Sequence, residues 1–393
     1  MNARSSRTLH LLALAPTLSL LVLAAFGASS ASAFLYWTGY SGTSVNRTTS
    51  SGPAETQEWV KGASAPLGVA VDAGHVYWAN FGTNSIGRAN LAGGEVEQEW
   101  IKGVSGPEGV AVDSDHVYWA SQALGSIGRA NLTGGEVEPQ WIGGVGQPET
   151  VAVDAAHVYW TNYVSGSIGR ANLNGTEVKQ EWIKGISFPG GLAVDAGHIY
   201  WASVGTEAVG RANLAGKEVE AEWIKGGGVP STVAVDAGHI YWANNLGPSI
   251  GRANLSGGAV EAEFRKASRE IWGVAVDNPT AEPATTSLAF GSVTTGTLTT
   301  PKPLTFTNHG SEALLISALT LAGANPSEFL VEAGSCGSPV APGASCTAQV
   351  RFAPQAVGSF SATVTVRSNA LSEPVISLSG SGAAAPVAAP NTS

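Results

Sequence analysis

The sequence predicts an all-β chain: a six-bladed β-propeller whose ring is closed by a C-terminal inner strand, followed by an immunoglobulin-like β-sandwich. Three observations predict it. Asp72 recurs at Asp113, Asp154, Asp195, Asp236 and Asp277, a constant step of 41 residues (113 − 72), and a fixed period of roughly 20–50 residues filled with short strand signals marks stacked blades. A Tyr-Trp pair keeps the same step, at Tyr36-Trp37, Tyr77-Trp78, Tyr118-Trp119, Tyr159-Trp160, Tyr200-Trp201 and Tyr241-Trp242. Beyond Thr286 the period stops, and seven short alternating segments separated by polar turns take its place.

Within a repeat each element has its own signature. In the second, Gly68 to Asp72 is small and β-branched, as an innermost strand crowded near an axis requires. His75 to Asn80 is apolar on both faces, which only a sheet packed between two others wants. Ser85 to Leu91 is the third strand, and Glu95 to Ile101 the fourth. Its charges protect the outer edge of a blade against pairing with other molecules. Turn signals divide the strands at Ala73-Gly74, at Gly82-Thr83-Asn84 and at Ala92-Gly93-Gly94.

The ends decide the closure. Phe34 to Thr38 starts without an inner strand of its own, while Gly273-Val274-Ala275-Val276-Asp277 is an inner strand left over after the sixth outer strand, near Val260 to Phe264. Pairing the leftover strand with Leu35 to Thr38 gives a ring over residues 34–277 with no free edge. A proline-containing linker follows at 278–286. Strands are then expected at Ser287 to Val293, Pro303 to Asn308, Leu314 to Leu321, Phe329 to Val331, Cys346 to Phe352, Ser359 to Arg367 and Val375 to Ser379, a sandwich over 287–382. The Ala/Pro-rich tail, 383–393, is expected to be disordered.

Composition narrows the function classes. The 393 residues suffice for two or three domains, with 44% hydrophobic and only 13% charged residues. A net charge of −10 leaves no basic field for phosphates, so nucleic acid is not an expected partner. Residues 1–33 read as an export signal: Arg4 and Arg7, an apolar run from Leu9 to Phe26, and a small-residue cleavage site at Ala31-Ser32-Ala33. An uncleaved anchor is the alternative. No later stretch has the ~18–20 apolar residues of a membrane span, so the mature chain is expected outside the cell or at its surface, as a monomer.

The blade motif Pro-x-Gly-Val-Ala-Val-Asp, then Tyr-Trp, then Ile-Gly-Arg-x-x-Leu-x-Gly resembles the YWTD repeat of low-density lipoprotein receptor-type six-bladed propellers, and also NHL-type and bacterial lyase-like propellers. The acidic fourth position of YWTD is here Gly39, Asn80, Ser121, Asn162, Ser203 and Asn244, a departure that weakens any carry-over of receptor partners. From SLAFGSVTTGT to VAPGASCTAQVRFAPQAVGSFSATVTV the chain resembles choice-of-anchor D domains, relatives of the ASPM-SPD-2-Hydin sandwich. That resemblance implies an adhesive or spacer module.

Several constellations are candidates for chemistry. Asp72, His75 and Asn90 are expected to converge at one blade end. The set occurs five times in all, around His75, His116, His157, His198 and His239, without a nucleophile beside it, so a turn-fixing hydrogen-bond network is the expectation rather than a catalytic triad. The same placement at blade ends argues against an axial metal, and neither metal nor cofactor is expected. Arg47, Arg88, Arg129, Arg170, Arg211 and Arg252 read as ion-pair formers, and Trp59, Trp100, Trp141, Trp182 and Trp223, with Phe264, as interblade packing, with carbohydrate stacking the sharper alternative. Cys336 and Cys346 are expected to form a disulfide in an exported chain.

Ligand recognition is expected where the repeats differ. These positions are Tyr40, Phe81, Tyr163, Glu207 and Asn245 after the second strands, and Glu108, Glu149, Phe188, Arg269, Glu270 and Trp272 before the first. Aromatics and acids around a concave mouth suit a binding site for an extracellular protein or glycan. The enzyme alternative is a lyase or hydrolase with Glu108 or Glu149 as base.

Overall fold

The computed structural model describes residues 34–49, 55–72, 74–244, 246–279, 281–308, 313–341, 343–370 and 373–385. The expected export signal (1–33), Asn245 and the last part of the tail (386–393) lie outside them.

Six four-stranded antiparallel sheets make the ring. Blade two is built from Pro66–Val71, His75–Asn80, Ser85–Asn90 and Glu97–Lys102, and blades three to six repeat it at the same spacing. Blade one is a hybrid of both ends of the propeller: Gly273–Val276 pairs antiparallel with Phe34–Thr38 through Leu35↔Val276, Tyr36↔Ala275, Trp37↔Val274 and Thr38↔Gly273. Neighbouring inner strands then contact one another all the way round. Every blade's inner edge is thus enclosed, the arrangement expected from the leftover strand.

The Tyr-Trp pair explains the stacking. Successive side chains of a strand point to opposite faces, so each second strand sends its tyrosine to the next blade and its tryptophan to the previous one. Tyr77 and Trp119 share one core, Tyr118 and Trp160 the next, and Tyr241 and Trp37 close the circle across the hybrid seam. One such core lies at each of the six seams. Burying a large apolar side chain stabilises by about 1.5–3 kcal/mol, so each dipeptide anchors its blade on both sides. The glycine of each Ile-Gly-Arg is required by this packing. Gly128 pairs with Trp119, and a Cβ there would clash with the indole Cε2.

Boundaries differ from expectation in physically instructive ways. The outer strand of blade two starts at Glu97 rather than Glu95, because Glu95 adopts a left-handed conformation (φ 51°), as do Glu136, Glu177, Glu218 and Ala259 at the same repeat position. The inner strand starts earlier, at Pro66, which pairs with Asn80 before a bulge shifts the register to Val69↔Trp78.

The sandwich has two four-stranded sheets. One orders Glu282–Pro283, Lys302–Thr307, Ser345–Phe352 and Phe329–Glu332; the other orders Ser287–Thr294, Val375–Ala383, Gly358–Ser368 and Ile316–Ala322. The segment expected to be pure linker therefore supplies an edge strand, and Ala281 joins the sandwich core. Leu314 stands apart from its expected strand and bridges Val340 instead. Phe290, Phe329, Phe352 and Phe360 form the aromatic centre. Cys336 and Cys346 form the expected disulfide, buried against it.

Candidate functional site

At one end of the ring the inner strands begin, and the chain order fixes what surrounds the axis there. The second residue of each inner segment supplies one rim position per blade: Trp272, Leu67, Glu108, Glu149, Gly190 and Ser231 for blades one to six. The strands are drawn close just behind this rim. A Cβ on Gly68 would stand 2.6 Å from the Glu108 carbonyl oxygen, and one on Gly109 2.5 Å from Thr150 Cα. Loops following the second strands rise over the rim and add Tyr40, Phe81, Tyr163 and Val204. The result is a bowl of about 400 Å³. Beneath it the axis is lined by valines and alanines of all six inner strands, and Val69, Val110, Val233 and Val274 line both spaces.

Six of the residues selected from the sequence meet in the bowl: Tyr40, Phe81, Glu108, Glu149, Tyr163 and Trp272. Tyr40 and Phe81 lie edge to face, 6.0 Å between ring centroids, so two adjacent blades share one aromatic wall. Phe188 does not line the bowl but packs on Tyr163 at 5.1 Å. Glu207 is exposed in a turn outside the bowl. Arg269 and Glu270 line a separate hollow beside Trp37, Asn46 and Glu58 in the hybrid blade. Asn245 lies outside the described residues. The sequence reading missed Leu67, Gly190 and Ser231, although the residue after Pro66, Pro189 and Pro230 is in the same register as Glu108 and Glu149. Their small or aliphatic side chains carry no chemical signal.

The acids are the chemically distinctive part. Burial in the bowl pushes the Glu108 carboxyl up to about 7. Burial, and then the charge of Glu108, pushes Glu149 up to about 8. Near neutral pH the pair therefore holds a proton that an exposed glutamate would release.

The other repeated sets serve the fold. His75 and Asn90 do face each other in register, and in blades four, five and six the equivalent histidine brings Nδ1 to 3.7, 3.9 and 3.5 Å from its aspartate Oδ1, but the asparagine does not join them in one network. Asp72 Oδ1 accepts the amides of Gly74 and His75, both at 2.7 Å, and Oδ2 accepts the Tyr77 hydroxyl at 2.8 Å. Asn90 Oδ1 instead accepts the amides of Ala92 and Gly94 in its own turn. The tyrosine was the missing partner, visible in the sequence only as an Asp-to-Tyr spacing of five repeated in blades two to six. Its hydroxyl is pushed above its ordinary pKa by burial and then by the aspartate's charge. The YWTD departures have structural work as well. Asn80 accepts the Ser64 amide and donates to the Gln98 carbonyl, tying the loop over the rim to the outer strand.

Four of the six arginines pair with acids as expected, Arg88 with Glu97 at 2.7 Å, and likewise Arg129, Arg211 and Arg252. Among the described residues Arg47 and Arg170 do not, because Thr56 and Lys179 stand opposite them. All six stack on the outer-strand aromatic, with the guanidinium carbon of Arg88 4.5 Å from the Trp100 ring centre. Trp100 packs in the core between blades two and three. The aromatic series is interblade packing. Among the described residues no group of three or more His, Cys, Asp or Glu is placed to hold a metal ion, and no helix is long and apolar enough to cross a membrane.

Comparisons agree with this architecture. The family model described as "Abnormal spindle-like microcephaly-assoc'd, ASPM-SPD-2-Hydin" (ASH) matches residues 275–376, from the end of the closing strand to the start of the last sandwich strand. A chain of the nidogen/laminin complex is similar at 21% identity and a TM-score of 0.54, covering 62% of this chain and 98% of that one. Virginiamycin B lyase from Staphylococcus aureus is similar at 17% identity and a TM-score of 0.44, covering 59% of this chain and 80% of its own. The gluconolactonase XC5397 from Xanthomonas campestris reaches 11% identity and 0.43, covering 74% and 86%. At 21% identity the nidogen/laminin match concerns the fold alone. Among curated proteins no match was found.

Proposed function

We propose that this is an exported, non-enzymatic binding or adhesion protein that takes an extracellular protein or glycan ligand in the bowl, with the sandwich as a spacer or attachment module. One observation carries the reading. The propeller repeats its buried side chains blade after blade, yet at this mouth the six equivalent rim positions carry five different residue types, and with the loops above them they bring aromatic rings and carboxyls together in one concave space. Trp272 and Tyr40, 40% and 49% exposed, offer flat faces at low conformational cost. The disulfide in the sandwich is compatible with an oxidising compartment. Resemblance to choice-of-anchor D domains supports the role given to the sandwich.

The test is a glycan and peptide array probed with the wild-type chain and with Trp272→Ala. A ligand whose binding falls roughly 10- to 30-fold in the variant supports the bowl. Binding that survives the substitution sinks it.

A second reading has its own support. Two neighbouring carboxyls with raised pKa values are the equipment of general acid–base chemistry, which suits a lyase or hydrolase with Glu149 as base. A broad lyase and esterase screen of the wild-type and Glu149→Gln chains separates the readings: turnover that disappears in the variant makes the protein an enzyme.

A further inference from the structure

Glu108 and Glu149 occupy neighbouring rim positions on adjacent inner strands, and among the described residues no group gives either carboxyl a hydrogen bond or an ion pair. Among the described residues no lysine, arginine or histidine lines the bowl, and its other titratable groups are the hydroxyls of Tyr40 and Tyr163. Arg269 belongs to the separate hollow of the hybrid blade. The blade order then sets what faces the acids. Trp272 belongs to blade one and Glu149 to blade four, three places apart in a ring of six, so an exposed indole stands across the axis from the carboxyl pair. The apolar bore opens below both.

We propose that the bowl binds a ligand bearing a primary ammonium or guanidinium group beside an aromatic or apolar body, with the cation between Glu108 and Glu149 and the body against Trp272 and Tyr40. This rests on the binding reading above and names the ligand class for the same site. The physical reason is desolvation. Two carboxylates half-removed from water without partners are unfavourable, and either a proton or a cation relieves them. An aromatic face opposite adds attraction for the same cation or stacks its ring. The free pair is protonated near neutrality, so the cation must displace protons. Ligand and proton compete for the same oxygens, and affinity rises with pH across the range in which Glu108 and Glu149 ionise.

The test uses the full chain and two probes of one shape. Tryptamine is a cation between pH 6 and 9, whereas tryptophol ends in a neutral hydroxyl. Their affinities are measured by ligand-observed NMR titration at pH 6, 7.5 and 9 on the wild-type, Glu149→Gln and Trp272→Ala chains. Tryptamine is expected to bind about ten-fold more tightly than tryptophol at pH 7.5, since one pKa unit corresponds to about a factor of ten. That preference should grow towards pH 9 and flatten in Glu149→Gln. An unchanged circular-dichroism melt for Glu149→Gln shows that its fold is intact. Equal binding of the two probes, a preference that ignores Glu149→Gln, or no tryptamine binding overturns the proposal. If both probes bind equally and both are lost in Trp272→Ala, the charge inference fails while the binding bowl stands. An array ligand indifferent to Trp272→Ala removes both.

Discussion

Asp113 and Tyr118 stand five residues apart, and their contact shows how much one side chain does here. The aspartate closes the hairpin between inner and second strands by accepting the amides of Asp115 and His116, then accepts the buried tyrosine hydroxyl at 2.8 Å. Asp113→Ala leaves three donors without their acceptor, the exposed Asp115 amide open to water and the His116 amide and Tyr118 hydroxyl part-buried, and each buried donor left unsatisfied costs about 1–3 kcal/mol. Tyr118→Phe removes one donor and keeps the ring in its seam, so its cost should stay near 1 kcal/mol. Urea melts of the two variants check the order. A Tyr118→Phe loss larger than that of Asp113→Ala would mean that the hydroxyl, not the turn, matters most. In blade one the same aspartate position, Asp277, receives the Phe34 amide at 2.6 Å, so the residue that fixes a turn elsewhere here fastens the two ends of the ring.

At the scale of a blade, the arginine of the third strand joins three things: its own outer strand, the tryptophan beside it and the next blade. Arg88 bonds Glu97, stacks on Trp100, and reaches the Leu132 carbonyl of blade three at 3.3 Å. Blade four provides a natural comparison. There the residue opposite Arg170 is Lys179, yet Arg170 keeps its place over Trp182 at 4.7 Å and its bond to the Leu214 carbonyl at 3.4 Å. The stack and the carbonyl, not the carboxylate, therefore hold the arginine. Glu97 is half exposed, and exposed ion pairs contribute about 0–1 kcal/mol. Thermal denaturation should show Glu97→Gln nearly neutral and Arg88→Gln clearly worse. The reverse order would restore the ion pair as the main interaction.

For the whole molecule the decisive contact is ring closure. A chain ending at 279 keeps Gly273–Val276 against Phe34–Thr38, while one ending at 269 loses it and exposes strand edges on both sides of the seam. The longer chain should melt in one cooperative transition, whereas the shorter should aggregate or melt over a broad range. Equal melts would show that the closing strand is dispensable. This arrangement was legible from the sequence because the repeat arithmetic left one inner strand over. The mixed blade one was legible for the same reason. The sandwich edge strand Glu282–Pro283 was not, because two residues in a proline-containing segment carry no alternation.

The sequence by itself determined the ring, the number of blades, the identity of the closing strand and the disulfide pair. Each follows from a local pattern repeated at a fixed step, or from two cysteines with no other partner. The same local logic marked Tyr40, Phe81, Glu108, Glu149, Tyr163 and Trp272 as places where the repeats diverge. Only the tertiary structure decided that these six share one bowl, that Phe188, Glu207 and Arg269 do not line it, and that the two acids sit there unpartnered opposite an indole. The reason is geometric. A repeat fixes what happens within a blade and at its seams, but what meets at the axis depends on the tilt and closure of all six sheets, and no stretch of chain encodes that alone.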